Sequence, residues 1–142
     1  MRKDQLILVL VGIVVIVLLI AAIAFPLYAG TANAEISSVS TDKDLYHSNE
    51  VMKIVISLSS PGEGQNASVI IRGIEDRNGK MRLEQTLAVP ASPGPAILMY
   101  DYNLPSCSHC AGLDEGTYQF DVALVKDGVV LSNKTHSVQI AQ

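Results

Sequence analysis

Apolar and polar residues alternate with a period of two in several short segments of the C-terminal part of the chain. The alternation is clearest from Met52 to Leu58 and from Tyr118 to Leu124, where every second side chain is apolar. Because a period of two puts one face of a strand against a core, both segments are predicted strands that face each other across that core. Further strands are predicted at residues 35–40, 67–75, 81–89, 96–104 and 129–140.

Turn-forming residues separate these strands at intervals of about 8 to 12 residues, which is typical of an all-β sandwich. Asn78-Gly79 and Asp127-Gly128 each predict a hairpin, because these residue types tolerate the positive φ of tight turns. The three prolines of segment 90–95 lack an amide hydrogen, so they forbid a continuous strand there. Residues 35–142 are therefore a predicted immunoglobulin-like, antiparallel sandwich of about seven strands.

The last predicted strand does not fit a strict two-residue turn at Asp127-Gly128. In that register the apolar side chains of Leu131 and Val138 would lie on opposite faces of the strand. A bulge near residues 132–134 would reconcile the two halves, because one extra residue reverses the alternation. A longer loop would do the same, and the sequence leaves both open.

A different pattern occupies residues 6–25, which carry no charged or strongly polar side chain. About 20 helical residues span roughly 30 Å, the thickness of the hydrocarbon core of a bilayer. The segment is therefore a predicted transmembrane helix in contact with membrane lipid. Arg2 and Lys3 precede it, so residues 1–5 are expected in the cytoplasm and the C-terminal domain outside. Residues 26–34 are expected to form a short tether.

The same N-terminal region has features of a secretion signal. Ala32-Asn33-Ala34 has the small-x-small form of a signal peptidase site. A cleavable signal usually has an apolar region of roughly 7 to 15 residues, and this region is longer. We therefore expect an uncleaved signal anchor in the cell membrane, with release of the domain after Ala34 as the alternative.

Charge excludes one class of partner. From Glu35 onward, thirteen acidic and eight basic residues give a net charge of −5. A protein that binds nucleic acid needs a basic face to neutralise phosphates. No nucleic-acid partner is expected, and the acidic residues are expected to keep the surface hydrated.

The segment from Ser40 to Val51 carries an Asp-Lys pair and Tyr46 before a predicted core strand, and residues 116–118 begin an alternating strand that leads to residues 127–128. These features resemble immunoglobulin-like domains of macroglobulins and of bacterial or archaeal surface proteins, over nearly all of residues 35–142. The resemblance implies an envelope module used for spacing or binding. The reactive Cys-Gly-Glu-Gln thioester of the large macroglobulins is absent, so the resemblance implies no catalytic residue.

The motif Cys107-Ser108-His109-Cys110 is the main candidate for chemistry. An extracytoplasmic chain with two cysteines usually pairs them, so a local disulfide between Cys107 and Cys110 is expected. Free thiols, a Zn or Cu(I) site that uses Cys107, His109 and Cys110, and a dithiol redox centre are the alternatives. A closed zinc site needs four ligands and no second pair of cysteines is present, so we expect no metal and no cofactor.

Two Asn-x-Ser/Thr triplets begin at Asn66 and Asn133. Both are candidate N-glycosylation sites, because the domain is expected outside the cell. No Ser-His-Asp arrangement, phosphate-binding loop or catalytic carboxylate pair is evident, so no enzymatic activity is expected. The connection from Pro105 to Gly116 is long and begins with a proline, which makes it a candidate docking loop.

The sequence therefore predicts a non-catalytic, membrane-anchored cell-envelope protein that binds a partner, supports a complex or self-assembles. The alternative from another class is a filament subunit, since archaeal pilins and archaellins also join an apolar helix to a β-sandwich. Against it, Asp4-Gln5 follows the basic residues, where pilin processing usually requires a small residue. A third hypothesis is a metal or electron carrier that uses Cys107 and Cys110.

Overall fold

The computed structural model describes residues 34–60, 66–91, 94–106 and 112–141. The described residues contain no helix that is long and apolar enough to cross a membrane. The predicted transmembrane helix at 6–25, the cytoplasmic residues 1–5 and the tether up to residue 33 lie outside the described ranges. The strands are β1 (Glu35–Thr41), β2 (Leu45–His47), β3 (Val51–Ser60), β4 (Ala67–Glu75), β5 (Met81–Ala88), β6 (Ala96–Asn103), β7 (Gly116–Lys126) and β8 (Val129–Ala141).

The strands form two sheets with the order β1-β3-β6 and β2-β8-β7-β4-β5. All pairs are antiparallel except β2 with β8. The predicted all-β, immunoglobulin-like sandwich is confirmed, because such domains pack two mostly antiparallel sheets around one core. The two alternating segments of the sequence, in β3 and β7, lie in the interior of opposite sheets, as predicted.

The core consists of the inward-facing rows of both sheets. Every second side chain of β3 is fully buried, and so are three successive inward positions of β7. The largest fully buried side chains are Tyr46, Phe120, Ile36, Met52, Ile54, Ile56, Leu58, Ile71, Ile74, Leu83, Leu113 and Leu124. At about 25 cal/mol per Å² of apolar surface, burial of these rows is the main favourable contribution to folding.

The parallel strand β2 is an addition to the about seven strands predicted. It has three residues, and only Tyr46 among them is buried. Three residues are too few for an alternation to be recognised. Its partner is the end of β8, with Tyr46 opposite Ile140, and a pairing so distant in sequence depends on the tertiary fold.

The expected irregularity of the last strand is a bulge at Leu131. Leu124 of β7 lies opposite Ser132, whereas the next residue, Val125, lies opposite Val130, so Leu131 is the extra residue. Asp127 and Gly128 both have positive φ, 50° and 78°, as a two-residue turn of the predicted kind requires. The bulge therefore lies one residue before the predicted segment 132–134, and a longer loop is not needed.

The hairpin of β4 and β5 is also confirmed, with a wider turn than Asn78-Gly79 suggests. Gly79 donates a hydrogen bond from its backbone N to the carbonyl of Asp76 at 2.9 Å, which closes a four-residue turn. Only Gly79 of this turn has a positive φ, 79°. The geometry is that of a turn followed by a left-handed glycine, another common hairpin connection.

One side of the sandwich is closed by side-chain hydrogen bonds between β1 and β8. The Nζ of Lys134 donates to the carbonyl of Ser37 at 2.9 Å. Nε2 of His136 lies 3.0 Å from Oγ1 of Thr41, and its ring packs 5.5 Å from that of Phe120. These contacts join the edge of one sheet to a strand of the other.

Candidate binding surface at the hairpin end of the sandwich

The motif Cys107-Ser108-His109-Cys110 lies outside the described residues, and the chain on both sides of it is anchored in the core. On one side, Leu104 is buried and its backbone N donates to the carbonyl of Glu50 at 2.9 Å. On the other side, Leu113 is 1% exposed and belongs to the core. The disulfide between Cys107 and Cys110 stays a prediction.

The burial of Leu113 reduces the number of residues in the predicted docking loop, Pro105 to Gly116, that could contact a partner. A core side chain cannot contact a partner in the folded domain, so Leu113 anchors this connection and takes no part in docking. Exposed side chains begin immediately after it, at Asp114 and Glu115.

The end of the sandwich that carries this loop is organised by the buried carboxylate of Asp76. Its Oδ1 accepts hydrogen bonds from the backbone N of Asn78 at 2.8 Å and of Lys80 at 3.0 Å. Its Oδ2 accepts from Nε of Arg82 at 2.8 Å and lies 2.7 Å from the NH2 nitrogen of the same guanidinium. The hydrogen bond from Lys80, with those from Asn78 and Arg82, holds the pKa of the carboxyl below its usual range.

The hairpin is also bonded to the chain that follows the cysteine motif. The backbone N of Arg77 donates to the carbonyl of Gly112 at 2.9 Å, and the guanidinium of Arg77 forms an ion pair with Asp114. Gly112 has a φ of 74°, and a Cβ at this position would lie 3.3 Å from Oδ2 of Asp76. Glycine is therefore the residue that fits both the backbone conformation and the space beside the carboxylate.

The backbone of Asp114 is held in turn by β7. The hydroxyl of Tyr118 donates to the carbonyl of Asp114 at 2.8 Å and accepts from its backbone N at 2.9 Å. We define the hairpin tip as the exposed residues of this assembly: Arg77, Asn78, Gly79, Lys80, Asp114 and Glu115. The tip is thus a polar, solvent-exposed surface on a backbone held by the buried carboxylate of Asp76 and by the half-buried Tyr118.

Two acidic residues of the segment from Ser40 to Val51, Asp42 and Glu50, also accept local hydrogen bonds. The Tyr46 hydroxyl donates to Oδ1 of Asp42 at 2.7 Å, and that oxygen accepts from the backbone N of Lys53 at 2.8 Å. The hydrogen bond from Tyr46 contributes most to lowering the pKa of Asp42. Burial raises the pKa of Tyr46 to about 12. Glu50 accepts from the backbone N of His47 at 3.0 Å, so these carboxylates shape turns.

The described residues give no support to a metal centre. Within 34–60, 66–91, 94–106 and 112–141, no group of three or more His, Cys, Asp and Glu side chains could hold an ion. His47 is exposed at the end of β2, whereas His136 lies in the middle of β8 against Phe120. The hypothesis of a metal or redox carrier therefore rests on Cys107, His109 and Cys110 alone.

Both candidate glycosylation residues are exposed, in different backbone settings. Asn66 directly precedes β4 and has a φ of 88°. Asn133 lies inside β8, paired with Ala123 of β7, and the hydroxyl of Thr135 donates to Asp121. Neither position would bury an attached glycan.

A cleft of about 410 Å³ opens where β4 turns away from β7. At the last paired position, Gly73 lets β4 approach β7 closely, because a Cβ there would lie 2.4 Å from the Cα of Phe120. Two charged side chains of the cleft have partners within the sheet: Arg72 lies 3.3 Å from Glu84, and Asp121 accepts a hydrogen bond from Thr135. The lining residues are Arg72, Gly73, Ile74, Glu75, Met81, Gln119 and Asp121. None of the lining residues is a Ser, Cys or His.

No family model matches the chain, and no curated protein matches it. Solved structures do match. The alkylpurine DNA glycosylase AlkC of Pseudomonas fluorescens is 12% identical, with a TM-score of 0.52, over 78% of this chain and 31% of that one. Superoxide reductase (neelaredoxin) of Ignicoccus hospitalis is 8% identical, with a TM-score of 0.52, over 80% and 86%. The CARDB domain of PF1109 from Pyrococcus furiosus is 13% identical, with a TM-score of 0.46, over 76% and 90%.

These likenesses are likenesses of fold. The described sandwich corresponds to less than a third of the glycosylase chain, and identities near 10% carry no information about activity. A sandwich of this kind is used by proteins of unrelated function, so function must be argued from the surface of this chain.

Proposed function

We propose that this protein is a non-catalytic, membrane-anchored module of the cell envelope that binds a protein partner through the hairpin tip. Residues 6–25 provide the anchor and the sandwich stands outside the membrane. The domain acts through its surface, because its interior is filled by its own side chains. The filament subunit and the metal carrier gain no support from any described contact, and neither is part of the proposal.

The hydrogen bonds that hold the backbone of the tip are the observation that carries the proposal. Asp76 fixes the backbone of Asn78 and Lys80, Arg77 is bonded to Gly112, and Tyr118 fixes Asp114. A surface that is already ordered loses less conformational entropy when it binds, which raises affinity without new contacts. Exposed basic and acidic side chains on such a frame are suited to a polar protein surface of complementary charge.

The proposal is tested by reversing the charge of two exposed tip residues, Arg77→Glu with Lys80→Glu. The matched control is Arg72→Glu with Lys126→Glu, which changes the net charge by the same amount as the tip variant. These two residues lie away from the tip, on the outer face of β4 and at the far end of β7. Cells that express each full-length chain are treated with a cross-linker, and the cross-linked proteins are identified by mass spectrometry. The tip variant is expected to unfold at nearly the same temperature as the original chain, since both residues are exposed.

The expected result is that the tip variant loses at least one cross-linked protein that the original chain and the control both retain. An identical set of cross-linked proteins for the tip variant, the control and the original chain would contradict docking through the tip.

A further inference from the structure

The edge strand β6 has the sequence of a strand that is buried on both faces. Ala96 to Tyr100 are five consecutive apolar residues. A continuous apolar run is typical of central strands covered on both sides, whereas exposed strands usually alternate. Yet β6 lies at the edge of its sheet, paired with β3 alone among the described strands.

The outward row of β6 is strongly exposed. Ile97 is 65% exposed and Met99 is 66% exposed. Their neighbours on β3 are Ser57 and Val55, so the outer face of this sheet carries an apolar strip along its free edge. The inward side chains of β6 are only partly buried against the core, and they are Ala96, Leu98 and Tyr100.

The other described edges are protected. The edge strand β5 alternates and carries Arg82 and Glu84, the second of which pairs with Arg72. Strand β1 exposes serines and is joined to β8 by side-chain hydrogen bonds. Strand β2 has only three residues. Charges, short length and side cover are the usual means by which edge strands avoid pairing with other chains, and β6 has none of them between residues 96 and 100.

We propose that β6 pairs with β6 of a second copy of this chain, antiparallel and centred on Leu98. This dyad places Ile97 opposite Met99 of the partner subunit and Ala96 opposite Tyr100 of the partner subunit. Each three-stranded sheet continues into the other, and the free N–H and C=O groups of both edges are paired. The surface is separate from the hairpin tip, so the inference does not depend on the proposed function.

Charge selects this register among the alternatives. With the dyad at Leu98, Asp101 falls opposite Pro95 of the partner subunit, where a proline ends the paired segment. A dyad at Met99 or at Tyr100 would put Asp101 beside the exposed apolar row, opposite Ile97 or Met99 of the partner subunit. A dyad at Asp101 would bring two carboxylates together, which is unfavourable for directly opposite residues. Only the register at Leu98 pairs apolar with apolar residues along the whole run.

The first experiment measures the mass of the full-length chain in detergent micelles by light scattering, at micromolar concentrations. Two copies per particle are expected. Met99→Lys places a charge on the exposed row without touching the core, and one copy per particle is expected. The matched control is Thr86→Lys on the exposed row of β5, which should keep two copies. A monomeric original chain, or a Met99→Lys variant that stays dimeric, would overturn the proposal.

A second experiment tests the register. In a chain with Cys107→Ser and Cys110→Ser, Ile97→Cys and Met99→Cys are made separately. Directly opposite residues are close enough for a disulfide, whereas diagonal ones are not. Oxidation should therefore cross-link the mixture of the two variants and leave each variant alone largely uncross-linked. Cross-linking of either variant by itself, with none gained in the mixture, would rule out a dyad at Leu98.

Discussion

Two polar side chains that are almost completely buried, Tyr46 and Asp76, fix backbone that lies outside the regular strands. Tyr46 reaches the turn between β1 and β2, where its hydroxyl also accepts from the backbone N of Lys43 at 2.9 Å. Asp76 does the same for the hairpin of β4 and β5. In both cases a buried polar side chain supplies hydrogen bonds to turn backbone, which has no neighbouring strand to pair with.

Tyr46→Phe is expected to destabilise the domain by about 1.5 kcal/mol, since it removes the donor to Asp42 and the acceptor for Lys43 while the ring still fills the core. The loss is read from urea unfolding of the variant and the original chain. The matched control is Tyr118→Phe, whose hydroxyl bonds to Asp114 at an exposed site. Water can replace those bonds, so a loss below about 0.5 kcal/mol is expected. Equal losses at the two positions would contradict this account of Tyr46.

The roles of these two residues were not predicted from the sequence. Asp42 and Tyr46 belong to the segment from Ser40 to Val51 that resembles immunoglobulin-like domains, and nothing in that resemblance assigns them these hydrogen bonds. A signal was present for Asp76, because an Asp two residues before Asn-Gly often caps a turn with its carboxylate. Its partner Arg82 and the contact with Gly112 depend on how the chain folds, and no local pattern contains them.

At the scale of elements, the sequence predicts those strands that bury one complete row of side chains. β3 and β7 alternate over seven or more residues, and the structure confirms both. The signal weakens where tertiary contacts decide the outcome. β2 forms because Tyr46 is buried beside Ile140, and the bulge at Leu131 restores the inward direction of Val138. The need for an irregularity could be predicted, but its residue depends on the register with β7.

The two glycosylation triplets differ in their elements, which leads to a prediction. Asn66 precedes β4 at an exposed position, so it stays accessible after folding. Asn133 is inside β8, with its backbone paired to β7, so it is accessible to a transferase only before folding. We expect a glycan at both sites when the chain is glycosylated during export, and at Asn66 alone when modification follows folding.

Intact-mass measurement of the membrane-extracted chain tests this prediction, with Asn66→Gln and Asn133→Gln as single-site variants. Each occupied site should account for one loss of glycan mass. Glycan on Asn133 without glycan on Asn66 would contradict the role given to the strand, and an unmodified mass would show that neither triplet is used.

At the scale of the whole molecule, the position of Ala34 bears on the fate of the N-terminus. Ala34 is 9% exposed and belongs to the core cluster of the sandwich. A protease needs an extended and accessible segment, so cleavage after Ala34 would have to occur before β1 packs. The alternative of a released domain therefore requires processing during export. An uncleaved anchor imposes no such order on folding.

The predicted topology rests on Arg2 and Lys3, which are expected to hold the N-terminus in the cytoplasm, and on the uncharged residues 6–25, which are long enough to span the bilayer as a helix. In a chain with Cys107→Ser and Cys110→Ser, Thr86→Cys places a thiol on an exposed position of the sandwich. Gln5→Cys places one before the apolar segment. A membrane-impermeant maleimide should label Thr86→Cys in intact cells and Gln5→Cys only after permeabilisation.

Cleavage after Ala34 would give a different outcome, because the mature chain would keep the thiol at position 86 and lose that at position 5, with a matching loss of mass. Labelling of Gln5→Cys in intact cells together with protection of Thr86→Cys would reverse the topology. That result would also remove the basis for glycosylation and for a partner in the envelope, because both require the sandwich to stand outside the membrane. The fold would be unaffected, since the rows of side chains that bury the core of the sandwich are the same on either side of the bilayer.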